Sequence, residues 1–371
     1  MKKENKQIVL FKVFVSPNVN VPLKKVLSSG YIGQGQKVDE FEKKLTKFIK
    51  NPYVLTVNSG TSAIHLALRL AGVGYGDEVI STPMTCTATN WPILANGARI
   101  IWADIDPETG NIDPNSIKKN ITKKTKAIVV VDWGGYPCDI DEIRKLVGKI
   151  PIIEDAAHAF GAEYKNKMVG CKADYTCFSF QAIKHLTTVD GGMLALRAKK
   201  DYEKAKLLRW YGINREGRSQ HDRIEINISD WGYKFHMNDV NAAIGIENLK
   251  HVKKILKKHR TNADFYKNQL QGLKKVKLLK ENKKFLSSYW LFTIKVKNRN
   301  RFFNFMNAKN IMVSQVHRRN DTHPVVRKFK KNLPGVDKFT RSMICIPVGW
   351  WIKKNQIDYI VDVIKNFDQL S

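Results

Sequence analysis

The sequence contains no run of about 18 or more apolar residues, so nothing in it reads as a membrane span. Its basic N-terminus, MKKENKQIVLFKVFVSPN, lacks an apolar stretch ending in a small-residue cleavage site, which argues against a secretory leader and for a cytoplasmic protein. Cysteine is sparse. Cys86, Cys138, Cys171, Cys177 and Cys345 are odd in number and form no C-x-x-C pair, so reduced thiols are expected, with no disulfide framework and no metal site. Internal repeats and low-complexity segments are missing too. Acidic residues are few, 34 Asp and Glu against 64 Lys and Arg, which leaves a formal charge of +30. A balance of this sign suits nucleic acid, an anionic membrane or a phosphorylated substrate. The charge is dispersed, however, in short clusters such as Lys253-Lys254, Lys257-Lys258 and Lys274-Lys275, without interleaved aromatics. No helix-turn-helix or zinc-finger pattern accompanies it. A lysine-rich solvated coat accounts for most of it, so neither nucleic acid nor membrane is expected as a partner.

What is present is enough for a folded enzyme. A hydrophobic content of 43% supports a real core, and 371 residues suggest two domains at about 100–200 residues each. Up to about residue 250, short apolar runs alternate with helical patterns, the mark of an α/β domain with a largely parallel sheet. The strand candidates are Glu78–Thr82, Arg99–Ala103, Ala127–Asp132, Pro151–Glu154, Tyr175–Phe180 and Met193–Leu196. Several end in polar residues, Asp132, Glu154-Asp155 and Ser179, and in open α/β sheets ligands sit beyond the carboxyl ends of strands. From about residue 250 the texture changes. A Lys-rich amphipathic helix over Asn248–Leu270 precedes a strand at Tyr289–Val296, a helix near Arg301–Lys309, strand-like pieces at Ile311–Val316 and Met343–Pro347, and a last helix from Lys354. The pattern predicts a large domain over residues 1–250 and a smaller α+β domain over 251–371.

Three constellations carry chemistry. In Asn58-Ser59-Gly60-Thr61, a cap residue precedes a helix whose apolar positions Ala63, Ile64, Ala67, Leu68 and Ala71 fall at helical spacing. Such a start is either an ordinary capped helix or a cradle for a phosphate at the positive end of the helix. Gly72, Gly74 and Gly76 follow a helix, not a strand, which excludes a dinucleotide loop. In Ile152-Ile153-Glu154-Asp155-Ala156-Ala157-His158, two acids end an apolar strand. Asp155 serves either to cap the next helix or to hold a protonated ring nitrogen of a cofactor. His158 is either a core histidine or a contact to that ring. The third is Cys177-Phe178-Ser179-Phe180-Gln181-Ala182-Ile183-Lys184-His185-Leu186, returning at Gly191-Gly192. Apolar flanks make Lys184 more than one further surface lysine, since such a setting lowers its pKa and makes it a nucleophile toward an aldehyde.

Together these residues resemble the sugar aminotransferases of the DegT/DnrJ/EryC1/StrS type, enzymes of fold type I that use pyridoxal phosphate (PLP). The resemblance runs from Ser28-Ser29-Gly30-Tyr31-Ile32-Gly33-Gln34-Gly35 into the C-terminal part, with the three motifs in family order. It implies that Lys184 is catalytic, holding PLP as a Schiff base and shuttling the proton between cofactor and sugar. It further implies that Asp155 pairs with the pyridine nitrogen, that His158 lies near the cofactor, and that Ser59, Gly60, Thr61 and Ser179 hold the phosphate. The stretch Trp231-Gly232-Tyr233-Lys234-Phe235-His236-Met237-Asn238-Asp239 resembles a loop that reaches the neighbouring subunit's site, so Lys234 is either a phosphate contact across a homodimer with shared active sites or one more surface lysine. One position departs from the family: Cys86, in Thr85-Cys86-Thr87, stands where an aromatic residue usually covers the ring. Stacking is then either weaker or comes from elsewhere, such as Trp91 or His158.

In the loop Val316-His317-Arg318-Arg319-Asn320-Asp321-Thr322-His323, His317 and Arg318 are candidate substrate contacts, since arginines grip diphosphates bidentately. A solvated basic loop is the alternative. The expected activity is transfer of an amino group from glutamate to a keto-deoxysugar carried by a nucleotide. The rivals are a PLP sugar dehydratase, a cyclitol aminotransferase, and a basic regulatory or nucleic-acid-binding PLP protein. Related dehydratases carry histidine at the Schiff-base position, and a lysine there favours transamination.

Overall fold

The computed structural model describes residues 7–215 and 227–370, so the first six residues of the basic N-terminal stretch lie outside it. The first nine strands, in chain order, are β1 (Val54–Val57), β2 (Glu78–Ser81), β3 (Arg99–Trp102), β4 (Thr125–Val131), β5 (Ile152–Asp155), the two-residue β6 (Glu163–Tyr164) and β7 (Lys167–Met168), β8 (Tyr175–Ser179) and β9 (Gly192–Leu196). Seven of them form one sheet in the order β1-β9-β8-β5-β4-β2-β3. Neighbours from β8 to β3 run parallel, and β9 is antiparallel to both β1 and β8. All six predicted strands are present, within a residue or two at each end.

Both faces of this sheet are covered. Val79, Val129 and Ile153 pack into one apolar cluster with Ala63, Ala67 and Leu68 of the helix Gly60–Leu70. Ile80, Ile128, Val130 and Ile152 pack into the opposite cluster with Ile117, Ile140 and Ile143. A strand buried on both sides needs apolar residues at every position, which is why these segments read as continuous runs. β1 escaped the sequence reading. It is buried throughout but only four residues long, too short to show a period.

The rest of the chain adds β10 (Val276–Leu278), β11 (Phe285–Leu286), β12 (Phe292–Val296) and β13 (Met343–Ile346). β10, β12 and β13 form an antiparallel sheet in that order, packed by the helices Val252–Leu270, Arg299–Ala308 and Lys354–Gln369 around Ile294, Phe302, Met306 and Ile360. β11 joins β6 and β7.

The C-terminal elements differ in detail from expectation. The helix expected over Asn248–Leu270 is present as Val252–Leu270, while Asn248 and Leu249 end a separate helix, Asp239–Leu249, with the chain turning at Lys250-His251. There the buried Asn248 accepts from Ser16 N and donates to Thr187 O, tying the first helix to other segments. The expected strand Tyr289–Val296 begins only at Phe292. Before it, Ser288 N and Leu291 N donate to Gly135 O and Gly134 O, and Tyr289 takes a φ of +49°. Ile311–Val316 makes isolated bridges from Ile311 and Ser314 and is no strand. Trp290, Leu291, Phe339 and Cys345 belong to the same buried cluster as Val57 and Ile153, so β12 and β13 are seated against the large sheet.

Candidate active site

The first component forms where β1 feeds the helix Gly60–Leu70. Ser59 caps this helix, its Oγ accepting from Ser62 N at 3.0 Å. Ser59 O takes the N–H of Ala63. The N–H groups of Gly60 and Thr61 have no helical acceptor. A Cβ at Gly60 would lie 3.0 Å from Ser179 Cβ, and one at Gly192 would lie 2.5 Å from the backbone of Ser59. Gly192 admits no side chain and one at Gly60 would crowd Ser179, so the helix start, the end of β8 and the start of β9 converge closely here. Gly60, Thr61 and Ser179, spread along the sequence, are thereby brought to one corner. Ser59 stands with them, its hydroxyl engaged in capping.

The turn after β8 carries Lys184, whose N–H donates to Gln181 O at 2.9 Å. Lys184 is half-buried, with its amino group against the Trp290 ring. Burial pulls its pKa down to about 7, against the opposing pull of Asp155 and of Cys86. An amine that is substantially neutral near pH 7 is a competent nucleophile.

Asp155 ends β5 and is buried. Its Oδ2 accepts from Thr89 Oγ1 at 2.6 Å and its Oδ1 from Ala157 N at 3.1 Å, while Thr85 Oγ1 lies 2.7 Å from Thr89 Oγ1. Burial pushes its carboxyl up, and the two donors together with Lys184 hold it back. Thr89, on the helix Thr87–Ala95, was not singled out in the sequence. Thr85 precedes that helix, so no helical spacing linked the two threonines in the sequence.

His158 stacks on Trp290, ring centroids 4.0 Å apart at 25°, and lies parallel to His317 at 5.6 Å. Burial, aided by Lys184, holds His158 well below the ordinary histidine range and brings His317 to about 4. Both rings are therefore neutral at physiological pH. No described residue partners His158 Nδ1 or His317 Nε2, although both atoms are buried. Trp290 is a residue the sequence did not mark. Its ring centroid lies 3.5 Å from Lys184 Nζ, and its Nε1–H donates to Ile183 O at 2.9 Å.

The loop of His317 is bolted to the large sheet through Asn320. Asn320 N donates to Pro83 O and Nδ2 to Thr85 O, while its Oδ1 accepts from Asn90 Nδ2. Val316, just before His317, has a φ of +64°, strained for a β-branched residue, and such strain concentrates at functional sites. Arg318 is exposed and turned onto Thr322, its Nε donating to Thr322 Oγ1 at 2.9 Å. Arg319 is instead paired with Asp321 and Asp337. A cavity of about 750 Å³ is lined by His317, Arg318, Arg319 and Arg299. Lys234 is exposed, with its carbonyl accepting from Asn58 Nδ2 at 3.2 Å beside the helix start. Cys86 precedes the helix Thr87–Ala95, half-buried and close enough to Lys184 to affect its charge. The ring of Trp91 meets His323 edge-on at 5.8 Å.

A buried amine facing a buried acid, beside an open helix N-terminus, is the geometry of a cofactor-dependent amine chemistry. The sequence profile of the DegT/DnrJ/EryC1/StrS aminotransferase family matches residues 17–365. The chain belongs to that family. This aminotransferase is similar to the sugar aminotransferase CalS13 from Micromonospora echinospora, with a TM-score of 0.94 at 38% identity over 97% of this chain and 99% of that one. It is 32% identical to the GDP-perosamine synthase of Escherichia coli O157:H7, over 90% of this chain and 91% of the relative. It also matches the PLP form of Spr1654 from Streptococcus pneumoniae, with a TM-score of 0.90 at 26% identity over 98% of this chain and all of that one. The fold is that of the fold type I PLP transferases, and the cofactor is PLP. The residues present suit that group. The Gly60 corner offers N–H groups for a phosphate, Asp155 offers a carboxylate for a ring nitrogen, Lys184 offers an amine, and His158 Nδ1 is a buried polar atom without a partner among the described residues.

Proposed function

We propose that this aminotransferase moves an amino group from an amino acid, glutamate, onto a keto-deoxysugar linked to a nucleoside diphosphate, and that it works as a cytoplasmic homodimer. The observation that carries the reading is the buried Lys184 amine, depressed to about 7 and set against Asp155 beside the Gly60–Thr61 helix start. The names of its relatives support a sugar acceptor, and the arginine-lined cavity next to His317 supports an anionic one. The five cysteines are all free thiols, which suits a reducing compartment.

PLP, when bound, supplies an aldehyde that takes up amines and a ring that draws electrons from the carbon next to the nitrogen. In our reading the protein does the rest. Gly60 N–H, Thr61 N–H and the Ser179 hydroxyl bind the phosphate at the positive end of the helix, with Ser59 holding that helix end in shape. Asp155 keeps a proton on the ring nitrogen, with Thr89 and Ala157 N–H aiming its two oxygens. His158, neutral, faces the ring, and Lys234 of a second copy of the chain adds a point charge near the phosphate. Lys184 Nζ would hold the cofactor and, when free, would take and return the proton at the carbon that bears the nitrogen. His317 and Arg318 face the sugar and its diphosphate.

The test is spectroscopic. The purified protein shows a visible cofactor band that glutamate bleaches, with release of 2-oxoglutarate, and that a nucleotide-linked keto-sugar restores. Lys184→Ala lacks the band, and a band unaltered in that variant would refute the assignment of Lys184. A band indifferent to glutamate would favour sugar dehydration, and recovery with a keto-cyclitol alone would move the acceptor to that class.

A further inference from the structure

We infer that Trp290 is the positioning residue for Lys184: its indole face supports the lysine amino group and its indole N–H fixes the backbone one residue before. The inference rests on the reading of Lys184 given above. The 3.5 Å between Lys184 Nζ and the ring centroid is well inside the ~6 Å at which a cation is held by an aromatic face. The bond from Trp290 Nε1 to Ile183 O, 2.9 Å, anchors the other end of the same short segment. The indole is itself immobile. Trp290 is buried, with Phe11 stacked on it at 5.1 Å and His158 at 4.0 Å.

A lysine that alternately carries a cofactor and stands free with a proton needs a resting place for an ammonium in a site shielded from water. The groups that bear on Lys184 Nζ are Asp155 from β5, Cys86 from the start of the helix Thr87–Ala95, His158 from the loop after β5, His317 from the 316–323 loop, and its own neighbour His185. The three histidines are kept neutral by burial, and Asp155 serves the ring nitrogen. The face of Trp290 is then the surface against Nζ that favours the charged form without adding a second anion.

The deciding experiment places fluorinated tryptophans with increasing numbers of fluorines at position 290, which keeps the indole N–H and nearly the ring volume while weakening the negative potential of its face. In the apoprotein, the apparent pKa of Lys184 is read by competitive acylation over a pH series, with mass spectrometry of its peptide. It falls stepwise with fluorine number, by up to about one unit. In the holoenzyme the pH midpoint of the visible band shifts with it, and kcat falls with KM little changed, because the contact is to the amine and not to substrate. Trp290→Phe, which keeps a face and loses the N–H, stays closer to the parent in Lys184 pKa than Trp290→Leu does. A Lys184 pKa that stays flat across the fluorinated series overturns the inference. That result is distinguishable from failure of the Lys184 reading itself, which shows as a visible band surviving Lys184→Ala.

Discussion

Glu154 and Asp155 are adjacent on β5, both buried, and burial pushes both carboxyls up, yet they face opposite sides of one sheet. On the Asp155 side, Thr89 Oγ1 and Ala157 N–H aim its oxygens, and Lys184 offsets part of the burial. On the Glu154 side, Oε2 accepts from Thr176 Oγ1 at 2.9 Å, and a second acid, Asp132, is pushed well up by burial and by Glu154, with no described cation offsetting either. Asp132 Oδ1 accepts from Cys138 N, and no described residue donates to its Oδ2. The surroundings are Ile128, Val130, Ile140 and Ile152, a closed apolar cluster. The difference teaches that a buried carboxyl with a raised pKa does not by itself mark a catalytic site. What marks one is convergence: an amine, directed donors and an open helix end on the same face.

The largest expected effect tests that contrast directly. Asp155→Asn lowers kcat/KM about 1000-fold, equivalent to ~4 kcal/mol of transition-state stabilisation, because the electron-drawing ring loses its proton support. Glu154→Gln stays within about threefold of the parent, since nothing on its face reaches the reacting atoms. Steady-state kinetics on the two variants, with cofactor content read from the visible band, checks both. Equal losses would break the comparison.

Much of this was legible in the sequence, for identifiable reasons. Strands buried on both faces, such as β4 and β5, announce themselves as apolar runs, and the residues at their carboxyl ends follow. Gly60 and Gly192 were legible as motif members. The crowding at Gly60, 3.0 Å to Ser179, and the exclusion of any side chain at Gly192, 2.5 Å to Ser59, required the fold. Thr89 and Trp290 were not legible. Each acts on a residue far away in the chain, across 66 positions to Asp155 and 107 to Ile183, and no local pattern encodes such a pairing. Tyr289–Leu291 misread as strand because its apolar residues pack against Gly134–Gly135 and the site instead of a neighbouring strand. Arg318 and Arg319, indistinguishable as letters, divide in the structure: Arg319 pairs with Asp321 and Asp337, and Arg318 stays exposed at the cavity.

The next effect is smaller and sharpens the contrast one layer out. Thr89→Val removes the hydroxyl donor to Asp155 Oδ2, a bond to a charged group worth about 1.5–3 kcal/mol. Activity falls on the order of 10-fold, and the pH dependence of the holoenzyme spectrum shifts because the Asp155 carboxyl rises further. Thr176→Val removes the corresponding donor to Glu154 and leaves kcat and the spectrum in place, costing only stability. A pH–rate profile for Thr89→Val that overlays the parent would detach Thr89 from the site.

The smallest effect is in stability, and its sign runs opposite on the Glu154 face. The native Glu154 carboxyl is raised by burial to about 7, against about 4.3 in an unfolded chain. Between those pH values the native state keeps a proton that the unfolded state has released, so this group makes stability fall as pH rises through the window. Glu154→Gln has no proton to lose. Its advantage over the parent is therefore absent near pH 4, grows between about 4.3 and 7, and is complete above that. Because Asp132 shares the burden of the buried charge, the gain at pH 8 is modest, roughly 2 °C in melting midpoint. Thermal melts of parent and variant from pH 5 to 8 read this directly. A difference that stays flat across that range would mean Glu154 is ionised throughout, and the acid on the closed face would then resemble Asp155 more than the surroundings of the two suggest.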